Sequence, residues 1–224
     1  MSRTFVMGDI HGAYKALVQC LSLSGFNPVT DHLICLGDVC DRKPETRACI
    51  DALLRIPRLT YLMGNHDAWA LEWMRTRIVD PNWAKQGGLA TLASYDEGVP
   101  DSHIEFLTNA RAFHVENNRL FVHAGIDPSL PLTGQSPEVF LWDRDLGKRI
   151  LHGYLDKSEG RLTAFDEIYI GHTPVPFHQP ISAYEVWMMD TGAGWSGVLT
   201  MMDIDTKEIF QSDSVKDLYP TADG

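Results

Sequence analysis

The stretch Leu33-Ile-Cys-Leu-Gly-Asp-Val-Cys-Asp-Arg-Lys-Pro-Glu45 decides the fold of this chain. It begins as an apolar run typical of a buried strand and ends in Asp38, Asp41 and Arg42. Four other apolar runs end in the same way, in glycine next to a side chain that can bind a metal or carry a proton. Their endings are GDIHG (8–12), GNHD (64–67), HAG (123–125) and GH (171–172).

The pattern around these runs predicts the order of strands and helices. In the first half, predicted strands alternate with helices that carry one apolar face, the third of which is expected to run through Leu71, Met74 and Ile78. Such alternation indicates βαβ units and a largely parallel sheet. The second half contains more strands, with a hairpin at 113–122 and a further strand at 184–189. We therefore expect an α/β fold of two mixed β-sheets packed face to face with helices outside.

Composition indicates an ordinary globular protein and excludes some classes of partner. The 224 residues are 44% hydrophobic and 22% charged, with a formal net charge of -11. One domain over residues 1–224 is expected at this size. The acidic balance argues against nucleic acid and against an anionic membrane surface as partners. The four cysteines form no CxxC pair, so we expect reduced thiols and a cytoplasmic protein.

The polar ends of the five apolar runs are expected to form one site. In open α/β sheets, ligands bind outside the carboxyl ends of the strands. A single Gly-Asp is usually only a turn, but five such ends in one chain make that explanation improbable. The candidate ligands combine carboxylate and amide oxygens with imidazoles and include no thiolate, which suits Mn²⁺, Fe or Zn²⁺ better than Ca²⁺. Six ligands suit two ions that share a bridging carboxylate and together promote phosphoryl transfer.

The motifs GDIHG, GDVCDR, GNHD, VHAG and GHT resemble the signature series of the calcineurin-like metallophosphoesterases. Within that family, the chain is similar to the phosphoprotein phosphatase branch, especially its small bacterial and phage members. It is similar also to the symmetrical diadenosine tetraphosphatases. The resemblance extends from Asp9 to about Gly197 and implies a four-layer sandwich with a dinuclear metal site.

The resemblance also implies a role for each matching position. His66 would be the general acid for the leaving oxygen, oriented by Asp41, and Arg42 and Arg144 would bind the phosphate. Hydroxide held by the metals would attack phosphorus directly, so Cys40 is not expected to be a nucleophile. The implied metal ligands, with Asp38 as the bridge between two divalent ions (Mn²⁺ first, Fe or Zn²⁺ as alternatives), are Asp9, His11, Asp38, Asn65, His123 and His172.

Three positions depart from the family pattern. Lys43 follows Asp-Arg where the family usually has Gly; it would be strained by about 1 kcal/mol if that position needs φ > 0, or it could add a cation near the phosphate. Asp67 replaces the more usual Glu, which we interpret as a tolerated shortening. Ala124 replaces a Gly of eukaryotic relatives, which favours the bacterial members.

Several less specific features surround the motifs. Trp142 could form a wall of the phosphate pocket or pack in the core. Gly192 and Gly194 could let the backbone approach the site closely or could form a plain turn. Gly87 and Gly88 would weaken a helix by about 1 kcal/mol each, so we expect a helix break that faces the substrate cleft.

The primary functional hypothesis is a metal-dependent phosphatase of phosphomonoesters, with phosphoserine and phosphothreonine of proteins, and then phosphotyrosine, as substrates. The alternative is a symmetrical dinucleoside tetraphosphate hydrolase, which would need an aromatic or arginine platform for the base. Trp83, Trp142 or Trp195 could supply that platform. A third hypothesis is a catalytically silent binding module, which the complete set of metal-capable residues disfavours.

Overall fold

The computed structural model describes residues 2–220, in which ten strands form two five-stranded sheets. The strands are β1 (Thr4–Met7), β2 (His32–Cys35), β3 (Leu59–Tyr61), β4 (Phe113–Glu116), β5 (Arg119–Val122), β6 (Glu167–Ile170), β7 (Ile181–Ala183), β8 (Val186–Met188), β9 (Thr200–Asp203) and β10 (Ile209–Gln211). The first sheet has the order β10-β9-β1-β2-β3, and the second has the order β4-β5-β6-β8-β7.

Both sheets are mixed. In the first sheet β1, β2 and β3 are parallel, β9 runs antiparallel to β1, and β10 runs antiparallel to β9. In the second sheet β5, β6 and β8 are parallel, and β4 and β7 are the antiparallel edge strands. Since parallel strands end at the same edge of a sheet, the loops after β1, β2 and β3 lie together, as do those after β5 and β6.

The helices connect these strands and cover the sheets. They are α1 (Tyr14–Leu23), α2 (Thr46–Leu53), α3 (Asn65–Thr76), α4 (Pro81–Trp83), α5 (Leu89–Ser94), α6 (Asp101–Thr108), α7 (Pro137–Trp142), α8 (Asp145–Asp156) and α9 (Val215–Leu218). A π-helical segment, Ala84–Gly88, joins α4 to α5. Within residues 2–220, none of the helices combines the length and the apolar content needed to span a bilayer.

The core shows why the strands are apolar on both faces. Val6 and Ile34 of the first sheet pack against Phe121 and Tyr169 of the second, whose rings stack 4.9 Å apart. The neighbours of these residues along each strand point the other way and pack under the helices. The molecule therefore has four layers, helices–sheet–sheet–helices, which confirms the expected sandwich.

Some element boundaries differ from the prediction. Helix α3 ends at Thr76 because Arg77 adopts a left-handed conformation (φ 64°), so Ile78 lies outside it and is 73% exposed. The strand predicted at 184–189 is confirmed as the shorter β8 (Val186–Met188), and it pairs with β7 in a hairpin that turns at Tyr184 (φ 56°). The predicted hairpin of β4 and β5 is confirmed, and the four cysteines are free and buried, as expected.

Candidate metal centre and active site

The five polar strand ends converge at one edge of the sandwich. The loops after β1, β2 and β3 contribute residues from the first sheet, and those after β5 and β6 contribute residues from the second. All of the predicted metal-ligating residues, together with Asp41 and His66, are buried to at least 94%. The sequence prediction that these residues lie together is therefore confirmed.

The backbone of this edge is unusual. Non-glycine residues rarely adopt positive φ, and such conformations concentrate at functional sites. Here they occur at His11 (48°), Asp38 (52°), Asp41 (78°), Arg42 (68°) and His172 (62°). Lys43 is absent from this set, so the concern that lysine is strained at its position is wrong; Lys43 is a buried residue instead.

The first group of candidate ligands contains His11, Asp38 and His66, whose nitrogen and oxygen atoms lie within 4.8 Å of one another. His11 Nδ1 lies 2.9 Å from the carbonyl oxygen of Cys40, so Nδ1 carries the proton and Nε2 presents its lone pair. Burial lowers the pKa of His11 to about 3, although Asp38 opposes the shift. The ring is therefore neutral at physiological pH, as a metal-binding imidazole must be.

The second group contains Asp38, His123 and His172 and again fits within 4.8 Å. His123 Nδ1 lies 2.8 Å from the carbonyl oxygen of Leu36, which leaves the lone pair of Nε2 free. That Nε2 lies 3.0 Å from Asn65 Oδ1 and 3.6 Å from Asp38 Oδ2. Three electron-pair donors thus face one another at short distances, an arrangement that a shared cation stabilises.

Asp38 belongs to both groups. Its Oδ1 accepts a hydrogen bond from the backbone N–H of His66 (3.0 Å), while Oδ2 lies 3.7 Å from His11 Nε2. Burial alone would raise the pKa of Asp38, but His123 and its neighbours hold it well below its usual range. An ionised carboxylate between two sets of imidazoles has the position and charge of a bridging ligand.

Asp9 provides a further test of whether cations fit here. Its Oδ2 accepts the backbone N–H of His172 (2.9 Å), but Oδ1 is buried without a hydrogen-bond partner among the described residues. His172 Nε2 is also buried and unpartnered within the same part of the chain. Burial, Asp190 and Asp38 raise the pKa of Asp9 well above its usual value. A buried oxygen and a buried nitrogen without hydrogen-bond partners are atoms that divalent ions would coordinate.

His66, a member of the first group, also forms a buried hydrogen-bonded pair with Asp41. His66 Nδ1 lies 2.6 Å from Asp41 Oδ2. Burial tends to lower the pKa of His66, but the carboxylates of Asp38 and Asp41 raise it above its usual value. The pair can thus hold a proton on the imidazole, and Nε2 is the nitrogen that Asp41 leaves free.

The two arginines lie at different depths. The guanidinium of Arg42 stacks 3.8 Å above the ring of Trp195, and its Nε is buried without a partner in residues 2–220. Gly194 allows this approach, since a Cβ there would lie 2.8 Å from Arg42 Cδ. Arg144 is exposed at the start of α8, two residues after Trp142, whose ring lies 6.3 Å from that of His172 in the second group.

Aromatic rings border the site. The ring of Trp69 contacts His66 (5.5 Å between centroids) and Trp142 (4.9 Å), and Trp142 in turn lies 6.3 Å from His172. Trp142 is 42% exposed, so it forms part of a wall and is not a core residue. Trp83 is fully buried, so the hypothesis that it could be a platform for a base is wrong.

The role of Asp67 was not predicted from the sequence. Its carboxylate accepts hydrogen bonds from the backbone of Asp38, Val39, Cys40 and Gly64 and from the hydroxyl of Tyr61. This carboxylate fixes the loop that carries Asp38 to the loop that carries His66. The short side chain thus anchors both loops and is more than a tolerated replacement of Glu.

Asp190, in the MDTG stretch, is a second carboxylate whose place in the site was not predicted from the sequence. It is buried, its Oδ1 accepts the backbone N–H of Gly192 (3.0 Å), and its charge acts on Asp9. Burial raises the pKa of Asp190 to about 6. An Asp directly after an apolar run was the available signal, but this Asp lacks the adjacent His or Asn of the other motifs.

Comparison with known proteins agrees with this geometry. Residues 2–191 match the family model of calcineurin-like phosphoesterases. Over 89% of its length the chain is 28% identical to serine/threonine-protein phosphatase 1 of Salmonella typhimurium, of which it covers 91%. It is 24% identical to the symmetrical bis(5'-nucleosyl)-tetraphosphatase of Nitrosomonas europaea over 82% of this chain, but it covers only 63% of that relative. A metallophosphoesterase structure from Sphaerobacter thermophilus shares the fold, with a TM-score of 0.60 and 15% identity over 98% of this chain and 94% of that one.

Proposed function

Because the chain belongs to the calcineurin-like phosphoesterase family, we propose that it is a metal-dependent phosphatase that removes phosphate from phosphoserine and phosphothreonine in proteins. The observation that carries this proposal is the meeting of two ligand groups at Asp38, next to the pair of His66 and Asp41. Phosphotyrosine is a further candidate substrate. Residues 1–224 are proposed to act as one catalytic domain.

The metal centre is proposed to hold two divalent ions, with Mn²⁺ as the first candidate and Fe or Zn²⁺ as alternatives. Asp38 would bridge them, and the other ligands would be Asp9, His11, Asn65, His123 and His172. When bound, the ions would supply an activated water nucleophile and neutralise charge on the phosphate. Metal analysis of the purified protein tests both the number and the identity of the ions.

The protein residues have separate tasks in this proposal. His66, oriented through Nδ1 by Asp41, donates the proton on Nε2 to the leaving oxygen. Arg42 binds phosphate oxygens, and stacking on Trp195 limits the conformations of its guanidinium. Arg144 reaches the phosphate from the exposed side. The leaving alcohol departs as a neutral species because it receives this proton.

Sequence identity supports a protein substrate. The chain is 28% identical to serine/threonine-protein phosphatase 1 of Salmonella typhimurium over 89% of its length, against 23–24% to symmetrical tetraphosphatases of Nitrosomonas europaea and Pseudomonas putida over 82–96% of it. The exposed rings of Trp142 (42%) and Trp195 (56%) near the site favour the second candidate, a symmetrical dinucleoside tetraphosphate hydrolase.

One comparison separates these two functions. The enzyme is stripped with a chelator and reloaded with Mn²⁺, and kcat/KM is measured for a phosphothreonine peptide and for diadenosine tetraphosphate. We expect the peptide to be preferred. Preference for the dinucleotide would overturn the proposed substrate, and turnover of neither by metal-loaded protein would overturn both candidates.

A further inference from the structure

The segment Pro81–Ser94 makes a set of contacts to Asp41 that the proposed reaction does not yet use. Asp41 Oδ2, which accepts from His66 Nδ1, also accepts the indole N–H of Trp83 at 2.7 Å. Asp41 Oδ1 accepts the hydroxyl of Thr91 at 2.7 Å, and the backbone N–H of Asp41 donates to that same hydroxyl oxygen at 2.8 Å. Both oxygens of this carboxylate are therefore held by donors outside the pair with His66.

The hydroxyl of Thr91 has only one arrangement that satisfies these contacts. Its hydrogen is directed to Asp41 Oδ1, so Thr46 Oγ1, 3.1 Å away, must donate to Thr91. Thr46, Thr91 and Asp41 are all fully buried. The result is a directed chain of hydrogen bonds that ends on the carboxylate, and its geometry leaves Asp41 little freedom to rotate.

The irregular helix explains how Trp83 reaches Asp41. Asp80 caps the start of α4 by accepting from the backbone N–H of Trp83 (3.0 Å). Gly88 lies directly against the indole, since a Cβ there would lie 2.5 Å from Trp83 Cε2. Gly87 (φ 111°) places its carbonyl 3.1 Å from the backbone N–H of Arg42. The two glycines thus give a helix break at the site, as expected, and serve contacts to Asp41 and Arg42.

We propose that Trp83 and Thr91 are positioning residues that hold the Asp41 carboxylate so that His66 directs its Nε2 proton at the leaving oxygen. This inference rests on the proposed role of His66 as general acid. Asp41 has a left-handed backbone (φ 78°), and its carboxylate would have alternative rotamers without the two donors. If Trp83 and Thr91 served only to fill the core, loss of their polar hydrogens would change stability alone.

The test compares leaving groups that differ in their need for a proton. Nitrophenolate leaves p-nitrophenyl phosphate unprotonated, whereas the alcohol of a phosphothreonine peptide requires proton donation. Trp83→Phe removes the indole N–H, and Thr91→Val removes the hydroxyl with little change in shape. We expect kcat for the peptide to fall by about 10-fold or more in each, with KM within about threefold, and kcat for p-nitrophenyl phosphate to stay within about threefold.

Matched controls isolate the hydrogen bonds. Trp73 packs 5.7 Å from Trp83 between ring centroids, and no hydrogen bond joins it to Asp41 among the described residues. We expect Trp73→Phe to keep the wild-type ratio of kcat for the peptide to kcat for p-nitrophenyl phosphate. Thr91→Ser, which keeps the hydroxyl, should show the wild-type ratio as well, in contrast to Thr91→Val. An equal loss for both substrates in Trp83→Phe and Thr91→Val, or no loss for either, would overturn the inference.

A readout without turnover separates this inference from the proposed function. The proton on His66 Nδ1, shared with Asp41, can be followed by ¹H NMR of the full chain loaded with diamagnetic Zn²⁺. We expect its resonance to move in Trp83→Phe and Thr91→Val but not in Trp73→Phe; an unmoved resonance would overturn the inference. If wild-type protein hydrolyses neither ester, the proposed function fails, and this resonance still decides the positioning role.

Discussion

Replacing Asp67 by Asn should destabilise the protein strongly and disturb the metal centre, because this carboxylate anchors the loops that carry Asp38 and His66. Oδ2 accepts from the backbone of Asp38 (2.8 Å) and Gly64 (3.1 Å) and from the Tyr61 hydroxyl (2.6 Å). Oδ1 accepts from two further backbone N–H groups, at 3.0 and 3.2 Å. Five donors directed at two oxygens leave no position for a proton or an amide hydrogen.

The magnitude follows from these contacts. In its better orientation, the introduced amide would place its nitrogen where Oδ1 of Asp67 faces two donors, so two hydrogen bonds to a charged acceptor are lost. Each such bond contributes roughly 1.5–3 kcal/mol. We therefore expect Asp67→Asn to lower the free energy of unfolding by about 3–6 kcal/mol, a large part of the roughly 5–15 kcal/mol typical of a domain.

Urea denaturation followed by tryptophan fluorescence measures this loss, and metal content is determined on the same protein. Asp145→Asn is the matched control, since the Asp145 side chain is 89% exposed and, within residues 2–220, forms only a surface pair with Lys148. The control should change stability by less than about 0.5 kcal/mol. A loss below about 1 kcal/mol in Asp67→Asn, with normal metal content, would refute the anchoring role.

Three further changes test other parts of the account. His66→Asn should leave metal binding intact and lower turnover by about 10²- to 10⁴-fold; a fall in metal content would instead identify His66 as a ligand. Gly194→Ala would place a Cβ 2.4 Å from His11 Cδ2, so we expect kcat/KM to fall by about 10- to 100-fold, against no change for Gly134→Ala, whose Cβ would meet its neighbours at 3.5 Å. Burial alone would raise the pKa of the Asp31 carboxyl, but hydrogen bonds from backbone N–H groups and an arginine hold it below its usual value. A carboxyl whose pKa is lower in the folded than in the unfolded state stabilises the protein at every pH above its unfolded-state pKa. Asp31→Asn should therefore lower the free energy of unfolding measured by urea titration at pH 7, and the difference from wild type should shrink as the pH falls below about 4. A difference independent of pH would contradict this assignment.

The sequence predicted the edge of the sandwich at which the site lies because each contributing strand ends in a short motif. His123 and His172 could be assigned to the site from the apolar runs that precede them, since strand ends at the same edge of a sheet meet in space. Their detailed geometry could not be predicted. Contacts such as Asn65 Oδ1 with His172 Nδ1 (2.8 Å) join residues 107 positions apart, and only the packing of the two sheets brings them together.

The errors also have physical causes. Trp83 lies in a polar, glycine-containing segment, which suggested an exposed ring that could stack on a base. Periodicity alone could not show that its indole N–H is directed at Asp41 in the interior. Lys43 replaces a family glycine, but the positive φ angles fall on the two residues before it. The role of Asp67 was not predicted because its carboxylate oxygens accept mainly from backbone N–H groups, and such contacts cannot be recognised from residue types in the sequence.

Metal stoichiometry of wild-type protein and Asp38→Asn tests the central claim most directly. The chelator-stripped proteins are titrated with Mn²⁺ by isothermal calorimetry, and bound metal is then counted by elemental analysis. A bridging carboxylate predicts two ions per wild-type chain and weakened binding of both together in Asp38→Asn. One ion per wild-type chain, or loss of one ion with full retention of the other in the variant, would contradict a dinuclear centre bridged by Asp38.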